Sequence, residues 1–189
     1  MDRILVIDDN TDILENICEL LDNNGYKTYD ASNISDGEKL VFEISPDLIL
    51  CDIRMETESD GFKLLEKLYK RKLVPQIPFI FLTVLGETEN IVKGFNMGAQ
   101  DYIIKPFEKA ILLARIKVHL DLRRARLDLE KRNHQLDVAK TNLENANKEL
   151  KLKIHELSKK TITHEKLATL LKKYLISILN LVLRKTRWK

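Results

Sequence analysis

Neither glycine nor proline occurs anywhere between residues 108 and 189. So long a stretch without turn residues excludes a series of short elements and loops, and it reads as helix. Cysteine is limited to Cys18 and Cys51, far apart and inside apolar segments. That excludes a disulfide framework and gives no zinc spacing, so both read as reduced, buried thiols. No run approaches the roughly 18 uninterrupted apolar residues of a spanning helix. The amino terminus, MDRILVIDD, carries acids where a signal peptide needs a long apolar stretch. The chain is therefore expected in the cytoplasm. One sign of charge does not dominate either: 32 Lys and Arg against 29 Asp and Glu leave +3, too little for a global field that gathers nucleic acid. What is present suffices for a core, since 44% of the 189 residues are hydrophobic. The length suits one ordinary domain plus an appendage.

Up to about residue 107 short apolar runs alternate with amphipathic windows. Ile4–Ile7 is a buried parallel strand by type, ending in Asp8 and Asp9. Ile13, Leu14, Ile17, Leu20 and Leu21 follow at helical spacing, and Asn24-Gly25 stops that helix. A weaker strand is expected over 27–31 and a helix near 36–44. Residues 47–52 form another strand that ends on a carboxylate, Asp52. A third helix is expected from Gly61, a fourth strand over 78–83, a helix over 89–97 and a short strand over 102–104. Five strand–helix repeats imply right-handed crossovers and a doubly wound, flavodoxin-like parallel sheet covered on both faces. Such sheets bind ligands at the carboxyl ends of their strands, which is where this sequence places its acids.

Asp8, Asp9 and Asp52 end two strands that should be neighbours. Carboxylates so crowded stay ionised at low cost only beside a cation, and an oxygen-only set suits a hard ion such as Mg²⁺. An aspartate held beside that ion is a good phosphoryl acceptor. Thr83 and Lys105 end the fourth and fifth strands at the same edge, a hydroxyl and a cation fit to hold phosphoryl oxygens.

Val-Ile-Asp-Asp-Asn (6–10), Leu-Cys-Asp-Ile-Arg-Met (50–55), Phe-Leu-Thr-Val (81–84) and Gly-Ala-Gln-Asp-Tyr-Ile-Ile-Lys-Pro-Phe (98–107) resemble the bacterial response-regulator receiver family over roughly residues 2–120. The resemblance implies that Asp52 is the phosphorylated aspartate of a phosphorelay. It implies that Asp9, Asp52 and the backbone carbonyl of Arg54 contact Mg²⁺, with Asp8 acting through water. Thr83 and Lys105 would bind the phosphoryl group, Tyr102 would be the aromatic switch, and Lys105-Pro106 would be a cis peptide. The donor would be a sensor histidine kinase or a phosphotransfer protein, and self-catalysed phosphotransfer the only chemistry. The sequence departs from the family at Glu56, and Gly61 is the ninth residue after Asp52 instead of the eighth, so one extra residue lies within 56–60. Arg54 and Leu85 flank the approach of a hydrolytic water in the family; neither suits orienting one, which implies a persistent phosphorylated state.

Beyond residue 107, Leu122, Leu129, Leu136, Leu143, Leu150 and Leu157 recur every seventh residue. The other seam position reads either Ala125, Arg132, Ala139 and Ala146, or Arg126, Asn133, Lys140, Asn147 and Ile154. The second set, with Asn at a and Leu at d, favours a parallel two-stranded coiled coil, a homodimer through residues 108–160. Three regions are expected: the receiver at 1–120, a dimerisation helix at 121–162, and a basic amphipathic helix or output-domain stub at 163–189. Leu167 to Val182 form an apolar face bordered by Lys and Arg. It suits either bundle packing or contact of 167–189 with an anionic membrane surface. No helix-turn-helix fits after the heptads, so direct DNA binding is not expected. The alternative to a free-standing switch is the input half of a longer signalling enzyme, such as a nucleotide cyclase or histidine kinase.

Overall fold

The computed structural model describes residues 1–55, 57, 60–74, 76–84 and 88–186. Leu85 and most of the 56–59 loop therefore lie outside the described residues, as do residues 187–189. The order is β1 (Arg3–Ile7), α1 (Thr11–Asn23), β2 (Lys27–Ala31), α2 (Ile34–Ile44), β3 (Leu48–Asp52), α3 (Asp60–Lys70), β4 (Phe79–Val84), α4 (Thr88–Asn96), β5 (Asp101–Lys105) and α5 (Lys109–Thr186). The five strands make one sheet in the order β2-β1-β3-β4-β5, and every pairing is parallel.

The apolar runs form strands because both faces of the sheet are covered, so consecutive residues are buried on opposite sides. Ile4, Val6, Leu48, Leu50, Ile80 and Leu82 pack with Leu14, Ile17 and Leu21 of α1 and with Leu112, Ile116 and Leu120 of α5. Leu5, Ile7, Ile49, Cys51, Phe79 and Phe81 face the other way, against Val41 of α2 and Phe62, Leu65 and Leu68 of α3. A one-residue slip of any strand would exchange these two sets, so the pattern pins the register.

Helix starts differ slightly from expectation, for a local reason. Asn33 accepts a hydrogen bond from the Asp36 N–H at 2.9 Å, so α2 opens at Ile34 and Asp36 lies inside its first turn. Asn10 caps α1 in the same way, accepting from Asp12 N at 3.0 Å and Ile13 N at 3.2 Å. Both are ordinary side-chain caps of otherwise orphaned N–H groups. Cys51 is fully buried as expected, but Cys18 is only half-buried. Burial still pushes the Cys18 thiol up to about 11, despite its hydrogen bond with Thr28.

Residues Met1–Glu130 form one compact unit and Lys131–Lys189 a second. Among the residues of α5 whose side chains are described, the last buried one is Leu120. Ion pairs extend the first unit further: Arg123 reaches Asp47 at 2.8 Å, and Arg124 pairs with Asp2. The six heptad leucines are between 56% and 67% exposed. Among the described residues, no helix is long and apolar enough to cross a membrane.

Candidate functional site

β1 and β3 are hydrogen-bonded neighbours whose carboxyl ends carry the acids. The chain leaves β1 through Asp8, whose N–H bonds the Ala31 carbonyl at 3.1 Å and whose Oδ1 accepts from Asn10 N at 3.0 Å. With Asn10 also capping α1, the Asp8-Asp9-Asn10 turn is fixed from both sides. Asp8 is fully buried, and Asp9 is exposed. Asp52 is the last residue of β3 and half-buried; its Oδ1 accepts from Arg54 N at 3.4 Å, a long contact. One oxygen from each of Asp8, Asp9 and Asp52 lies within 4.8 Å of the others.

Lys105 ends β5, two strands away from Asp52. Its Nζ reaches back over the edge to Asp8 Oδ2 at 2.5 Å and Asp52 Oδ2 at 2.7 Å. Thr83 is buried and pairs in register with Ile104, one residue before the Val84–Lys105 pair. The sheet thus brings together Asp8, Asp9, Asp52 and Lys105, with Thr83 on the strand between. The Lys105-Pro106 peptide is cis, as the resemblance implied.

Burial raises the Asp52 pKa from the ordinary aspartate value, and the Lys105 hydrogen bond offsets this only in part. Burial also opposes charge on Lys105, but its hydrogen bonds to Asp52 and Asp8 outweigh that and hold it above the ordinary lysine value. Three carboxylates against one ammonium leave a local excess of negative charge. An all-oxygen cluster of that charge fits a hard divalent cation better than a softer metal.

Tyr102 lies on β5 three residues before Lys105, outside the carboxylate group. Its half-buried ring meets Phe95 edge-on, with centroids 5.7 Å apart. A small apolar pocket beside it is lined by Ile53, Phe81, Ile91, Gly94 and Ala99.

Other groups escaped the sequence reading. Asp60 opens α3 with its side chain largely buried; hydrogen bonds from Lys63 (2.8 Å) and from Thr57, whose N–H lies 2.7 Å away, hold its carboxyl down to about 2. An acid in a helix's first turn was the available signal. His119, which reads in sequence as one more residue of a charged helix, is instead half-buried, with Nε2 3.1 Å from Asp101. Asp101 also takes two bonds from Arg115, at 2.8 and 2.7 Å. This ties α5 to the strand that carries Tyr102 and Lys105.

The response regulator receiver domain family model matches residues 4–117. Among curated proteins, the DNA-binding dual master transcriptional regulator RpaA of Synechocystis is 36% identical over 120 residues, 64% of this chain and 49% of RpaA. The phosphate regulon transcriptional regulatory protein PhoB of Pseudomonas aeruginosa is 38% identical over 117 residues, 62% of this chain and 51% of PhoB. The chain thus spans about half the length of these relatives. A solved CheY-like receiver domain protein from Methanospirillum hungatei superposes with a TM-score of 0.62 at 34% identity, covering 67% of this chain and 98% of that one. A family match over well more than half of the chain agrees with the strand order and with the chemistry gathered at the strand ends, and the chain belongs to the response-regulator receiver family of two-component systems.

Proposed function

We propose that Asp52 accepts a phosphoryl group from the phospho-histidine of a sensor histidine kinase or phosphotransfer protein, and that α5 passes the resulting change on as a dimer. The observation that carries this reading is the Lys105 ammonium bridging Asp8 and Asp52 at the sheet's carboxyl edge. A carboxylate oxygen of Asp52 attacks phosphorus, the P–N bond breaks, and its electron pair stays on the imidazole. Mg²⁺ held by Asp9, Asp52 and the Arg54 carbonyl, with Asp8 acting through water, would neutralise charge on the transferring group. Lys105 and Thr83 bind phosphoryl oxygens, and Tyr102 responds by turning inward toward the pocket beside it. A small phosphodonor with Mg²⁺ should add the mass of one phosphoryl group, and a chelator should prevent it. An unchanged mass under both conditions would overturn the reading.

In the metal-free protein, Lys105 and a cation compete for the same oxygens. Lys105→Ala should therefore lower stability without Mg²⁺ by about 1.5–3 kcal/mol, the worth of a charged hydrogen bond to a buried partner. Added Mg²⁺ should restore more stability to this variant than to the parent. Urea unfolding with and without the ion measures both effects, and equal Mg²⁺ responses would count against a shared site.

We place the end of the receiver near residue 120, the last buried position among the described side chains of α5, followed by the dimerisation helix at 121–162 and a distinct segment at 163–189. In a parallel pair, Arg132 faces Asp137 and Lys160 faces Glu165 of the second copy, flanking charges of opposite sign. Asn133 and Asn147 sit at the seam and fix register at a cost in stability. Replacing both with Leu should raise the melting temperature and broaden the oligomer distribution. Sedimentation that finds a monomer at micromolar concentration, with or without phosphorylation, would exclude the dimer. The DNA binding in RpaA's name is said of RpaA alone.

A further inference from the structure

Two stretches of α5 carry different surfaces. From Asn133 to Leu150 the leucine row is interleaved with Asn133, Lys140 and Asn147, and acids are spread along it. From Leu167 to Asn180 nine of fourteen residues are apolar, and between Lys166 and Lys189 there is no Asp or Glu but seven Lys and Arg. Leu167, Leu170, Leu171, Leu175, Ile178 and Leu179 are between 47% and 65% exposed. At about 100° per residue they occupy roughly half of the helix circumference. A two-stranded coil buries a narrower stripe, two positions in seven. The opposite side carries Lys166, Thr169, Lys173, Ser177 and Asn180, with Ile176 as the one apolar residue among them.

A second copy of the chain is a poor occupant for this face. Coiled-coil seams are rimmed by opposite charges, and here pairing would bring only cations together while leaving the edge of the broad apolar face, at Leu170, uncovered. An anionic bilayer supplies both missing partners. Its headgroups provide negative charge for the flanking lysines, and its acyl boundary accepts a broad apolar face. The lysine stems can lie along the apolar boundary while their ammoniums reach the headgroups. The described helix is not long and apolar enough to cross a membrane, which leaves the interfacial plane. We propose that the segment beginning at Lys166 binds the surface of an anionic membrane.

The full chain should be mixed with phosphatidylglycerol-containing vesicles and, separately, with phosphatidylcholine vesicles. Trp188 is the only tryptophan, so its emission reports on this segment. The expected result is co-flotation with anionic vesicles and a blue-shifted emission. Affinity should be at least about tenfold above that for zwitterionic vesicles and should fall with salt. The Leu171→Glu, Ile178→Glu double variant should lose binding while its receiver melts unchanged, since both side chains are exposed. Three results would overturn the proposal: no vesicle binding by the parent, equal binding to both lipids, or a double variant that lowers the oligomeric state without affecting flotation, which would give the face to a second copy.

Discussion

Asp52→Asn is expected to abolish phosphoryl uptake completely while leaving the protein folded. The amide keeps the size of the side chain and can still accept a hydrogen bond from Lys105, but it has no anionic oxygen to attack phosphorus. Stability is the useful control, because its direction is set by the site. Burial and the neighbouring Asp8 raise the Asp52 pKa. An acid whose folded pKa is raised costs the folded state stability as pH rises past the unfolded pKa, in full once pH exceeds the folded one, so its charge is unfavourable at neutral pH. The variant should therefore be at least as stable as the parent, and loss of phosphorylation cannot be a folding defect. Intact-mass measurement after exposure to a small phosphodonor and Mg²⁺ separates the cases. A phosphoryl group still present on Asp52→Asn would move the acceptor to Asp8 or Asp9 and sink the assignment.

The parts of this molecule that were legible in the sequence are those whose cause is local or periodic. Leu48–Cys51 reads as a buried parallel strand because both faces of β3 are covered, and the continuous run records that directly. Asp8, Asp52, Thr83 and Lys105 were legible as a group because a parallel sheet sends every strand's carboxyl end to one edge. Their meeting needed no knowledge of side-chain geometry. The leucine row of α5 is a period, and periods survive without a structure. What stayed hidden depends on contacts between residues distant in sequence. Nothing near His119 announces Asp101, and nothing near Arg123 announces Asp47, 76 residues earlier. That Lys105 bridges both Asp8 and Asp52 was equally unreadable. Asn33 and Asn10 fall between these classes. Each is an available cap, yet Asp36 and Asp12 offer the same side-chain chemistry nearby, and only backbone geometry chooses between them.

Gly61→Ala should destabilise the receiver by about 3 kcal/mol, near the upper end of what overpacking a well-filled site costs. The sequence marks Gly61 only as a displaced family glycine, and its backbone φ is not what requires it. Proximity requires it: a Cβ at this position would stand 2.3 Å from the backbone oxygen of Asp52, 3.0 Å from Ile53 Cα and 3.0 Å from a Phe81 ring carbon. The two nearest obstacles are main chain of the β3 end itself, held by Gly61 N donating to the Ile53 carbonyl at 3.1 Å. No rotamer change can relieve them, so α3 must move off the sheet or Asp52 must move out of the site. Gly25 gives the contrast. It has φ +83° and nothing within 4 Å of an added Cβ, so Gly25→Ala should cost only the strain of a left-handed alanine, roughly 1–2 kcal/mol. Urea unfolding of both variants tests the difference. Gly61→Ala should also weaken phosphoryl uptake under folding conditions, because the displaced backbone carries the acceptor, whereas Gly25→Ala should leave uptake unchanged. Equal stability losses in the two variants, with uptake intact in both, would mean that the packing of α3 does not position Asp52.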